Sequence, residues 1–172
     1  PQTAEGVLSY ARALIATGTR GDAEANLVEA WRTMPMGSAL QTAYLKDFSK
    51  LLKPHHAARL DRLLWDDHLV SSKRMLSLVS NGDRKLAEAR IALQERASGV
   101  DAKIEAIPAK LRNSPGLAYD RFQWRDSKKR REDAIKLMLE RSASASGLGE
   151  PEQWARRRRD LARQDMRDGN HQ

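Results

Sequence analysis

Apolar residues recur along this chain at spacings of three and four, the period of a helix buried along one face. Val7, Leu8, Ala11, Leu14 and Ile15 make the first such stripe, which stops at Gly18-Thr19-Arg20-Gly21. Asp22 then offers an N-cap, and Ala23, Leu27, Ala30 and Trp31 form a second stripe that ends at Pro35 and Gly37. These two stripes predict a helical hairpin. The alternation continues with helices predicted over 38–53, 56–66, 70–80 and 83–97, separated by Pro54, a junction near His68 and Asn81-Gly82. A short helical stretch over 100–107 runs into Pro108, and Asn113-Ser114-Pro115-Gly116 is the strongest break in the chain. Helices resume over 117–126 and 127–142; the small residues of 144–149 predict a loop, and Pro151 near N1 opens a last helix to about residue 168. No stretch carries the two-residue alternation of a strand.

An internal echo orders these helices. Asp61-Arg62-Leu63-Leu64-Trp65 is matched by Asp120-Arg121-Phe122-Gln123-Trp124, each followed by a charged junction and by an apolar helix carrying Met75-Leu76 or Leu137-Met138. Repeated helical units of this kind stack, each burying its flanks against its neighbours. The expectation is therefore an all-α fold, an α-superhelix or solenoid of stacked antiparallel helical hairpins. Residues 1–172 read as a single helical-repeat domain. A plain helical bundle is the alternative.

Composition agrees. Of 172 residues, 40% are hydrophobic but only 5% aromatic, with 10 Gly and 6 Pro, which leaves little material for many strands and tight turns. A net charge of +8 favours polyanionic partners or surfaces without selecting one. The absence of cysteine excludes a disulfide framework, a thiolate metal site and a cysteine nucleophile. No run approaches the ~20 apolar residues of a membrane span, so a soluble chain is expected, and Pro1-Gln2-Thr3-Ala4-Glu5 does not read as an export signal.

Candidate chemistry is sparse. His55 and His56 are turned by about 100° on a helix, unlike a chelating i, i+4 pair. Asp66-Asp67-His68 follows a helix end, where such residues cap and solvate the turn, and His171 stands alone. Glu95, Glu105, Glu132 and Glu140 sit among basic residues and read as solvated ion-pair partners rather than as the facing carboxyls of a glycosidase. Phosphate-loop, nucleophile-elbow and zincin motifs are missing. No catalytic, cofactor-binding or metal-binding residue is therefore assigned, and no cofactor is expected. The runs Lys128-Lys129-Arg130-Arg131 and Arg156-Arg157-Arg158-Arg159, placed on helices, spread their charge around the axis instead of forming a phosphate-tracking stripe, and few aromatics interleave with them. Nucleic acid is accordingly not the expected partner. Of the four tryptophans, Trp31, Trp65, Trp124 and Trp154, at least three are expected in the core. On the last helix Trp154, Ala155, Leu161 and Ala162 share a face with Arg158 and Asp165, an apolar surface interrupted by charge that suits docking against a further helix.

Four segments carry a family resemblance: residues 58–65 (Ala-Arg-Leu-Asp-Arg-Leu-Leu-Trp), 87–93 (Ala-Glu-Ala-Arg-Ile-Ala-Leu), 111–121 (Leu-Arg-Asn-Ser-Pro-Gly-Leu-Ala-Tyr-Asp-Arg) and 154–163 (Trp-Ala-Arg-Arg-Arg-Arg-Asp-Leu-Ala-Arg). Together they resemble the N-terminal helical superhelix of soluble lytic murein transglycosylases of Gram-negative bacteria, over about residues 22–170. The resemblance implies a periplasmic protein whose helices form a curved or ring-like solenoid, and a separate C-terminal lysozyme-like domain that cleaves peptidoglycan through one glutamate, leaving a 1,6-anhydro sugar. The glutamate of that domain is followed by serine, and this chain has no Glu-Ser dipeptide and no Gly-Leu-Met-Gln segment. The resemblance therefore implies a piece of the helical region without the active domain: a non-catalytic scaffold that positions the catalytic domain of the same parent protein and offers a surface to peptidoglycan strands. The rival reading is a free-standing helical-repeat adaptor for protein partners, and a third is a small basic nucleic-acid binder.

Overall fold

Across residues 3–167, which the computed structural model describes, the periodic stripes fold into eleven α-helices and two single turns of 3-10 helix, with no strand among the described residues. The chain divides after Ala87 into two compact units. The first holds α1 (Ala4–Ala16), α2 (Arg20–Thr33), α3 (Ser38–Leu52), a 3-10 turn at Lys53–His55, α4 (His56–Trp65) and α5 (Leu69–Met75). The division falls within α6 (Asn81–Gln94). The second unit continues with α7 (Val100–Glu105), a 3-10 turn at Ala109–Leu111, α8 (Pro115–Ser127), α9 (Arg131–Arg141), α10 (Ala145–Leu148) and α11 (Pro151–Arg167).

One turn recurs. Helices α1 and α2, α4 and α5, and α8 and α9 are packed pairs, each joined by three residues. The first residue of each turn, Thr17, Asp66 or Lys128, lies near φ −90° and ψ 10°. The middle residue is left-handed, with φ 89° at Gly18, 57° at Asp67 and 59° at Lys129. The third, Thr19, His68 or Arg130, returns to φ between −94° and −83° with ψ between 59° and 72°. In all three the last amide reaches back five residues, to the carbonyl of Leu14, Leu63 or Arg125, each at 2.9 Å. This is the Schellman closure of a helix C-terminus, which satisfies a carbonyl that has no partner within the helix. Glycine, the residue that accepts left-handed backbone without strain, is used in only one of the three.

That economy displaces several predicted boundaries. Because Gly18 reverses the chain within one residue, α2 begins at Arg20; Arg20-Gly21 are helical rather than turn, and Asp22 lies in the first turn instead of capping it. Lys128–Arg130 are the turn itself, so only Arg131 of that basic run is helical. Pro115 is preorganised for a first helical turn, so the strong break at 113–116 ends by opening α8. The predicted loop of 144–149 contains the one-turn helix α10, started by the Ser144 hydroxyl accepting from the Gly147 amide at 3.2 Å and stopped at Gly149 with φ 67°.

Each unit has its own core. In the first, Val7, Leu8 and Ala11 of α1 are buried, as are Leu27 and Trp31 of α2, Tyr44 of α3 and Leu60, Leu63 and Leu64 of α4. In the second, Phe122 of α8 and Trp154 of α11 meet with ring centres 5.3 Å apart, and Tyr119 packs edge-on to Trp154 at 5.1 Å. Trp31, Trp65 and Trp154 are core residues, while Trp124 is half-buried.

Candidate functional site

Arg59 is a fully buried cation with no carboxylate among its hydrogen-bond partners in the described residues. It sits on α4 four residues before the buried Leu63, on the same face of the helix. Its Nη1 donates to the carbonyl of Trp31 and, at 3.1 Å, to that of Met34, the open carbonyls at the end of α2. The negative end of that helix and the face of Trp31, 4.5 Å from the guanidinium carbon, stand in for a counterion. Nε and Nη2 of Arg59 are buried without hydrogen-bond partners. Burial, with Arg74 nearby, lowers its pKa to about 10. Arg74 clamps the same connection from α5, donating to the Met36 carbonyl at 2.9 Å and to Gln41 at 3.3 Å.

Tyr44 and His56 complete this cluster. The Tyr44 hydroxyl donates to the Ala4 carbonyl at 2.6 Å, and burial raises its pKa to about 12 against the opposing pull of Arg59. His56 lies 5.4 Å from Trp31, ring centre to ring centre, with Nδ1 buried and unpartnered. Burial first, then Arg59, His55 and Lys53, lowers its pKa, so it is neutral at pH 7. The group is buried and its donors are directed at main-chain carbonyls, the arrangement of a structural clamp.

In the second unit the buried ion pair Arg90–Asp120, at 2.6 Å, joins α6 to α8, and Gln94 donates to the other oxygen of Asp120 at 2.9 Å. The Arg90 guanidinium crosses so close to Gly116 that a Cβ there would collide with it. The echo of Asp61 and Asp120 therefore does not extend to role: Asp61 is exposed and Asp120 is buried.

Among its described residues the second unit has a polar cleft and a smaller cavity. The cleft, of about 460 Å³, is lined by Asn113, Glu140, Arg141 and Ser144, among others, with Glu140 its only carboxylate among the described residues. The cavity, of about 50 Å³, lies against α8 and is lined by Leu93, Asp101, Arg121, Trp124, Arg125 and Arg130, among others. In the sequence Trp124 suggests only packing and Arg121 only an echo, and the signal for this cavity is their spacing with Arg125, at i, i+3 and i+4.

The residues weighed in the sequence are scattered. Glu95, Glu105, Glu132 and Glu140 are all exposed. His68 is exposed at the start of α5, its carbonyl accepting from Ser72, and Asp66 pairs with Arg62, so this trio caps and solvates a turn. Among the described residues no three His, Asp or Glu side chains gather as metal ligands; His171 lies outside them, and so does the Asp165 side chain. Arg157 donates to Gln123 at 2.7 Å and Arg158 to Ser142 at 2.6 Å, while Arg156 and Arg159 are exposed, which disperses that run around α11. No helix among the described residues is long and apolar enough to cross a membrane. No protein-family model, curated protein or solved structure matches this chain.

Proposed function

We propose that this chain is a non-catalytic helical-repeat scaffold of the kind found in soluble lytic murein transglycosylases, acting in the periplasm. In this reading its hairpins stack into a solenoid that positions a lysozyme-like catalytic domain of the same protein and lets anionic peptidoglycan strands lie along its basic surface. The observation that supports it best is the recurrence of one three-residue turn in three packed helix pairs, because a repeated hairpin is the unit a solenoid needs. The four segments that carry the resemblance all fall on or lead into helices: 58–65 on α4, 87–93 on α6, 111–121 into α8 and 154–163 on α11.

Exposed charge pairs contribute only ~0–1 kcal/mol each and are screened beyond ~8 Å at physiological salt. Retention on purified sacculi should therefore be weak, summed over many Lys and Arg residues, and lost as salt rises. The test is a sacculus pull-down across a salt series, with release of anhydro-muropeptides assayed in parallel. Retention that ignores salt, or release of muropeptides by this chain alone, would refute the scaffold reading as stated. No retention at all, with specific capture of a defined protein partner, would favour the adaptor.

A further inference from the structure

Arg121, Trp124 and Arg125 share one face of α8, and the 50 Å³ cavity lies against it, walled on its apolar side by Leu93, Val100 and Ile104. A space of this size has room for a few waters or one compact charged group. Arg121 is half-buried, yet it makes no hydrogen bond or ion pair among the described residues. Arg125, four residues on, commits Nη1 to the Asp133 carbonyl at 3.0 Å. Like charges at this spacing repel unless something between them accepts. Trp124 adds an indole Nε1 that is buried with no acceptor among the described residues, and the ammonium of Lys128 stands 5.8 Å from its ring centre.

Opposing charge at the site is limited. Asp101 is the one acidic side chain on the lining among the described residues, and Asp133 is held by Arg130 at 2.6 and 2.9 Å. Burial, with Arg125 and Arg141 nearby, lowers the pKa of Arg121 against the pull of Asp101 and Glu140. The neighbourhood thus crowds cations and a neutral donor around a space with too few acceptors.

We propose that this cavity is an oxyanion site that takes a compact carboxylate or phosphate group, with Arg121 and Arg125 as charged donors and Trp124 Nε1 as the neutral one. This inference stands apart from the murein reading, since it rests on the cavity alone.

Calorimetric titration of the full chain with inorganic phosphate and with acetate, each against chloride at equal ionic strength, tests it, with tryptophan fluorescence followed in parallel. Saturable binding of phosphate or acetate beyond chloride is expected, and whichever is tighter identifies the class. Arg121→Gln should weaken it by about tenfold or more, the worth of one charge-assisted donor. Trp124→Phe should weaken it less and remove the fluorescence response. Asp101→Asn, at an exposed position, should tighten it. The proposal fails if neither oxyanion exceeds chloride, which would mean a cavity filled by water. It fails equally if Arg121→Gln, melting as the parent does, binds unchanged, or if Asp101→Asn does not strengthen binding.

Discussion

Arg59, Arg74, Arg112, Arg125, Arg131 and Arg141 each direct guanidinium donors at main-chain carbonyls. Arg112, for example, reaches Ile107 at 2.8 Å and Glu105 at 2.7 Å, where α7 ends. A planar fork of five donors suits the unpartnered carbonyls of a helix terminus better than an ammonium does. The residue with most at stake is Asp120, because removing one member of a buried ion pair strands the other. Asp120→Ala should lower stability by about 3–5 kcal/mol, whereas Asp61→Ala, at the exposed copy of the echo, should change it by less than about 1 kcal/mol; urea unfolding of both variants decides. His56 makes a prediction in pH. Its folded pKa is below the ordinary 6.5, so the unfolded chain takes up the proton first. Its contribution is then complete above about 6.5 and lost as pH falls below that value toward the folded pKa. The stability gap between the parent and His56→Gln should narrow between pH 7 and 5.5; a gap that stays constant would place the imidazole in water.

At the scale of elements, the three shared turns cost different amounts. A left-handed residue other than glycine carries ~1–2 kcal/mol of steric strain, partly offset in a glycine variant by the freer unfolded chain. Lys129→Gly and Asp67→Gly should each raise the thermal midpoint by the equivalent of about 0.5–1 kcal/mol, and Gly18→Ala should lower it by a similar amount. Equal, unchanged midpoints for all three would mean the turns are not held in this geometry. The same turns set what was legible beforehand. The helical stripes were readable because Leu, Ala and Trp recur at three and four, and α1, α3, α4 and α11 begin and end close to their predicted limits. The turns Thr-Gly-Thr, Asp-Asp-His and Lys-Lys-Arg have no residue type in common, since their shape is fixed by a backbone bond five residues long and not by side chains. That is why Lys128–Arg130 looked like helix and Arg20-Gly21 like turn. The clamp at Arg59 is not legible in the sequence, because its partners are two main-chain carbonyls, which no residue type announces.

For the whole molecule, a net charge of +8 overstates the field available to a polyanion. Many of its guanidinium donors are committed to carbonyls or carboxylates and so are fixed in direction, and the basic run of α11 points in several directions, which leaves the charge ungathered. Affinity for duplex DNA should therefore fall with log salt at a slope of magnitude below about 3, since each neutralised phosphate adds about 0.9. A fluorescence-anisotropy salt series measures it, and a slope beyond about 5 would reveal a continuous phosphate track. The carbonyl clamps also have a schedule. The α2 terminus at Trp31 waits for Arg59, 28 residues later, and Met36 waits for Arg74, 38 residues later. At the ~5–20 residues per second of translation, the α2–α3 connection emerges from the ribosome roughly one to eight seconds before the arginines that fasten it. During that interval α1 and α2, joined by their own turn, can already pair, and the clamps arrive as late fasteners on that hairpin.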